Sequence, residues 1–195
     1  MSSPASPSNR AIARRTAEAF GSRPRVHRYH DDQGRGFVDI AAAQDVPHAG
    51  VTSYATLGLS GAPMEMPDGG ECPLRIELLG ACKSSFESFA NALAASAIRI
   101  ISTRKFCAPG VIFPDILTTP GEAGDMKNFV FLSPFLWDDP FEAMELDDKK
   151  VAWLLAVPIS DAELQYALDR GVPELESILE ANSIDMFDLN RSSVL

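Results

Sequence analysis

Long apolar stretches are missing from this 195-residue chain. The longest uninterrupted run, Val151 to Val157, falls far short of the roughly 20 residues that a membrane-spanning helix needs. The N-terminus lacks the charged and apolar regions of an export signal, so a soluble, cytoplasmic protein is expected. Cysteine is scarce: Cys72, Cys82 and Cys107 cannot all pair within the chain and match no C-x-x-C redox or zinc spacing. That excludes a disulfide scaffold and favours reduced thiols. The glycines never fall into a G-x-G-x-x-G or phosphate-loop pattern, so no nucleotide cofactor is expected. Positive charge is short beyond residue 35. Residues 1–35 hold seven arginines against three acids, a balance of +4, and the whole chain is at -10, so the remainder carries -14. Such acidity keeps a protein soluble and repels phosphate backbones, which makes nucleic acid an unexpected partner.

What the chain does contain is a set of well-marked elements. Met1 to Pro7 is a Ser/Pro/Ala tail with nothing to bury and is expected to be disordered, leaving residues 8–195 as a single domain. Ser8 reads as the cap of a helix from Asn9 to Phe20, closed by Gly21. Arg25–Tyr29 and Gly36–Ala41 flank the turn-forming Asp31, Asp32, Gln33 and Gly34, which predicts a hairpin. Strands are predicted at Val51–Leu59 and Leu74–Leu79, separated by a surface loop, Ser60–Pro73, with three Gly and three Pro. Phe86, Phe89, Ala90, Leu93, Ala97, Ile100 and Ile101 form one helical stripe over Ser85–Ile101 that should cover a sheet. Short extended pieces follow at Val111–Phe113 and Phe129–Leu132, with a loop from Thr118 to Lys127 between them, and then an acidic linker, Asp138–Asp148.

The C-terminal third is the most legible. The apolar run Val151–Val157 suits a strand covered on both faces, and Pro158 is expected to end it by removing a backbone donor. Ser160 and Glu163 have the spacing of a capping box for a helix over 161–170 that Gly171 closes, and Pro173 suits the first position of another helix. Strands and helices do not alternate steadily. The order predicts an α+β fold, a mixed and largely antiparallel sheet flanked by helices.

Two groups of segments carry a resemblance. Gly50–Ser60, GVTSYATLGLS, is followed by Arg75-Ile76-Glu77-Leu78-Leu79. Later, Val157-Pro158-Ile159-Ser160 runs to Glu163, then Gly171 and a closing Asp188-Leu189-Asn190-Arg191. In this order the motifs resemble those of the suppressor-of-fused domain family, from about Val26 to Val194. The resemblance implies a mixed sheet flanked by helices and a non-enzymatic, protein-binding role. Related animal domains bind transcription factors, and compact bacterial members are thought to be immunity proteins that neutralise toxins. The chain resembles the compact form, with no room for a second domain and no partner-peptide module, so transcription-factor binding is not carried over.

His27, His30, Asp31 and Asp32 invite a metal reading, but strand alternation sends the two histidines to opposite faces, and no metal site is expected. A cysteine beside His48 could suggest a thiol hydrolase, yet nothing orients the pair, so incidental thiols are expected. Ser60 lacks the spacing of a nucleophile elbow. Thr52, Tyr54 and Thr56 share one strand face, either as a hydrogen-bonding ladder or as the polar wall of a small hydrolase pocket. Arg75 and Glu77 share a face and are expected to form a structural ion pair. The linker places Asp138, Asp139, Glu142, Glu145, Asp147 and Asp148 among Phe141, Met144 and Leu146 without one base. It is either a solvated loop or a surface that meets a basic toxin, with carboxylates speeding association and apolar side chains anchoring it.

The expectation is therefore a non-enzymatic binding protein, an immunity protein acting on a toxin domain through Asp138, Asp139, Phe141, Glu142, Glu145, Asp147 and Asp148. No cofactor is expected. The alternatives are the small hydrolase on the Thr52/Tyr54/Thr56 face and a structural or regulatory interaction module.

Overall fold

The computed structural model describes residues 6–31, 36–117, 124–138 and 141–195. Within them the chain runs α1 (Pro7–Ala19), β1 (Arg25–His30), β2 (Phe37–Gln44), β3 (Val51–Leu57), β4 (Leu74–Lys83), α2 (Ser88–Thr103), β5 (Ile112–Phe113), β6 (Met126–Leu132), β7 (Met144–Glu145), β8 (Lys150–Ser160), α3 (Asp161–Arg170) and α4 (Val172–Ala181). The strands form one sheet in the order β1-β2-β3-β4-β8-β6-β5, with β7 also paired to β8. Among the described residues only β4 and β8 run parallel, and the other pairs are antiparallel. This is the expected α+β mixed sheet. The turn between β1 and β2 and most of the Thr118–Lys127 loop fall outside the described residues.

Helices cover both faces. On one side α2 sets Phe89, Leu93, Ala97 and Ile100 against Ile40, Tyr54, Leu78, Phe129 and Leu154. On the other, Ile12 of α1, Ala167 of α3 and Leu175 and Leu179 of α4 meet Ala55, Leu79, Val130, Leu155 and Val157. With β8 between these layers, alternate side chains enter opposite cores. That explains why its sequence is apolar without a break.

Several boundaries differ from expectation for local reasons. The α1 cap is Ser6, not Ser8: its hydroxyl accepts from the Asn9 N–H at 3.1 Å, and Pro7 occupies the first turn. β4 runs on to Lys83 because Gly80 leaves room for Phe89, where an added Cβ would lie 2.5 Å from the ring. β8 passes through Pro158 to Ser160 instead of ending there. Pairing with β4 stops at Leu155, and the Pro158 carbonyl is taken by Arg191 at 3.1 Å, so the missing N–H lies on a side with no strand to bond. The segment 60–73 is not wholly a surface loop, since Met64 and Cys72 enter the core.

Candidate partner-binding surface

The sequence motifs first resolve into structural hubs. Glu77 is fully buried on β4 and accepts the Thr56 hydroxyl at 2.5 Å and the N–H groups of Gly58 and Ser60, each at 3.0 Å. Thr56 in turn accepts the Leu78 N–H at 2.8 Å. The Thr-Leu-Gly-Leu-Ser turn is thus tied to the Arg-Ile-Glu-Leu strand by one carboxyl. Burial pushes that carboxyl above the usual glutamate range, against the opposing pull of its hydrogen bonds. The expected Arg75–Glu77 ion pair does not form. Arg75 reaches Glu71 and the Cys72 carbonyl, because Glu77 is turned into the β3–β4 turn region, where the Thr56 hydroxyl and the Gly58 and Ser60 N–H groups donate to it.

A second hub closes the C-terminus. The capping box is present, with the Ser160 hydroxyl accepting the Glu163 N–H at 3.1 Å and Glu163 accepting the Ser160 N–H at 2.9 Å. Glu163 also receives both terminal nitrogens of Arg191 at 2.7 Å and the Val194 N–H at 3.1 Å. Burial alone would raise this carboxyl, but Arg191 and the two N–H groups hold it below its usual value. Asp188 pairs with Lys83 at 2.5 Å, completing the work of the closing Asp-x-x-Arg.

These arrangements answer the remaining chemical candidates. Thr52, Tyr54 and Thr56 are all buried: Thr52 meets the Ser84 hydroxyl at 2.8 Å, Tyr54 stacks on Phe89 of α2 at 5.5 Å, and Thr56 is bound to Glu77. That face is occupied by packing, so it does not line a hydrolase pocket. The three cysteines are free and buried, and burial pushes the Cys82 and Cys107 thiols up to about 12, against any ready thiolate. His27 and His30 are exposed on β1, while His48 packs edge-on against Phe187. Among the described residues, no group of three or more His, Cys, Asp or Glu side chains gathers as metal ligands.

The acidic segment divides into an inner and an outer set. Phe141 turns inward, 6% exposed, and packs with Phe20, Trp137 and Trp153 at 5.2 to 5.8 Å. It holds the segment down and is not a free anchor, because three aromatic rings already enclose it. The short strand β7 hydrogen-bonds to the start of β8, and Glu145 pairs there with Lys150 at 2.7 Å. Asp148 accepts the Ser8 hydroxyl at 2.8 Å, a bond that lowers its pKa. Asp138, Glu142 and Asp147 remain exposed, with no ion pair among the described residues. Asp139 lies outside those residues.

Sequence reasoning missed an open apolar groove beside Glu142, of about 610 Å³. Its walls are Met64, Met66 and Cys72 of the β3–β4 connection, Phe106 and Pro109 after α2, and Pro134 after β6. The apolar side chains scattered through the breaker-rich segment 60–73 were the only sequence signal for it.

This fold is shared with solved suppressor-of-fused structures. A suppressor of fused protein homolog from Neisseria gonorrhoeae FA 1090 superimposes with a TM-score of 0.67 at 17% identity, over 96% of each chain. The matching chain of a Sufu–Fu complex gives 0.65 at 15% identity, over 95% of this chain and 91% of its own. The family model of the Suppressor of fused protein (SUFU) matches residues 36–192, and the chain belongs to that family. It is also 42% identical to the Immunity protein YqcF of Bacillus subtilis (strain 168), over 96% of this chain and 97% of that protein. Family and relative together support a protein-binding role. No helix among the described residues is long and apolar enough to cross a membrane.

Proposed function

We propose that this protein is a cytoplasmic immunity protein that neutralises a toxin domain by stoichiometric binding and occlusion, without catalysis. The observation that carries this reading is the 42% identity to an immunity protein across nearly the full length of both chains. The buried hubs support it as well: Glu77 and Glu163 are spent on holding turns together, and the polar strand face is buried by packing. The toxin meets the acidic segment through Asp138, Glu142 and Asp147, whose charges steer a basic surface toward the protein.

The test is a growth assay in cells expressing the C-terminal domain of a secreted protein encoded beside this chain. Co-expression restores growth, and the two proteins co-purify at one to one. A toxic domain that kills equally well with this chain present, and does not bind it, overturns the reading.

A further inference from the structure

The apolar groove coincides with a gap in the sheet. β6 pairs with β8 from Leu155 onward, and β7 pairs with it only at Lys150 and Val151. Ala152, Trp153 and Leu154 are therefore paired with Ile76, Glu77 and Leu78 of β4 on one side and have no strand on the other among the described residues. The groove opens at this notch. Three residues of strand span only about 10 Å, so the notch suits a side chain and its flanking backbone better than a full added strand.

Its chemistry specifies the visitor. Met64 and Met66 give the wall an adaptable apolar lining, the kind that moulds to an inserted side chain. Phe135, next after the lining residues Ser133 and Pro134, is 61% exposed. Glu142 sits on the rim, exposed and without an ion pair among the described residues. Of the basic residues flanking the opposite wall in sequence, Arg75 is engaged with Glu71 and Arg104 with Glu65 and Glu71. With Arg15 held 5.7 Å from the Phe141 ring, Glu142 is left as an exposed negative charge on the rim.

We propose that this notch is the anchoring pocket of the partner interface and accepts an aromatic or aliphatic side chain flanked by basic residues. The inference rests on the protein-binding reading and places its energetic centre beside the acidic segment rather than within it. An apolar anchor inside a charged rim is the usual division between affinity and steering.

The ¹⁵N-labelled full chain is titrated with three blocked peptides: Gly-Lys-Phe-Arg-Gly, Gly-Glu-Phe-Glu-Gly and Gly-Lys-Ser-Arg-Gly. The first shifts the amides of Met66, Ala108, Ser133 and Ala152, and the other two bind about fivefold more weakly or worse. Met66→Lys, with an otherwise unchanged spectrum, weakens the first peptide about tenfold, and Glu142→Lys does so about threefold. Shifts located elsewhere, equal response to the acidic peptide, or none at millimolar peptide overturns the proposal. Growth rescue separates the two readings. If the unmodified chain rescues and Met66→Lys rescues equally at the same toxin dose, the pocket is wrong and the immunity function stands. If the unmodified chain does not rescue, the immunity function falls, and the titration still decides the pocket.

Discussion

At the scale of single residues, two buried glutamates respond to acid in opposite directions. Glu163 is held below its usual pKa, so its ionised form stabilises the fold at neutral pH, and that contribution is lost as pH falls through the folded-state value. Glu77 is held above its usual pKa, so between the ordinary and the raised value the folded state binds more protons than the unfolded one. Acidification then stabilises. Glu77→Gln removes that offset, and its urea midpoint falls more steeply than the parent's as pH drops from 7 toward 4.5. Parallel pH profiles would show that Glu77 ionises normally. Arg191→Ala leaves Glu163 charged, buried and short of its cation, and costs about 3 to 5 kcal/mol in urea unfolding at pH 7. Gly80→Ala drives a Cβ into the Phe89 ring, which is locked between Tyr54 and Phe129, and costs about 1 to 3 kcal/mol. A loss below half a kcal/mol would mean that α2 shifts freely over the sheet.

At the scale of elements, the segment 138–148 shows how composition and placement diverge. Six carboxylates in eleven residues read as one acidic surface, yet β7 pairs Glu145 with Lys150, Ser8 holds Asp148, and Phe141 faces the core. The charge available to a partner is concentrated at Asp138, Glu142 and Asp147. The double variant Glu142→Lys with Asp147→Lys slows association with a basic toxin domain about tenfold at low salt and flattens its ionic-strength dependence, as read by stopped-flow. Unchanged rates would remove the segment from the interface. The Ser160–Glu163 box was legible because its partners are three residues apart. The Glu163–Arg191 pair was not, because 28 residues separate them and only the docking of the C-terminal segment on α3 brings them together.

At the scale of the whole molecule, the sheet order explains both burial and the open notch. Inserting β8 between β4 and β6 makes it a central strand with helices on both faces, the usual setting for a continuous apolar run. The same insertion leaves Ala152–Leu154 without a strand partner on one side among the described residues, because β6 and β7 pair with β8 from opposite ends. Charge is distributed at this scale too. The basic α1 packs near the aromatic cluster of the acidic half, with Arg15 lying 5.7 Å from the Phe141 ring, so part of the N-terminal surplus is spent within the fold.

The sequence by itself determined the elements whose signals are local: the helical stripe of α2, the apolar run of β8, the Ser160 cap, the β1–β2 hairpin and the ordered motifs of the family. Their causes lie within one turn or one strand, where spacing dictates which side chains share a face. Only the tertiary structure decided that Glu77 serves the turn at Gly58 and Ser60 instead of Arg75, that Phe141 is core, and that a groove opens at Trp153. Each depends on segments far apart in the chain meeting in space, and on which buried polar group finds a donor first. Spacing along one strand carries no record of either.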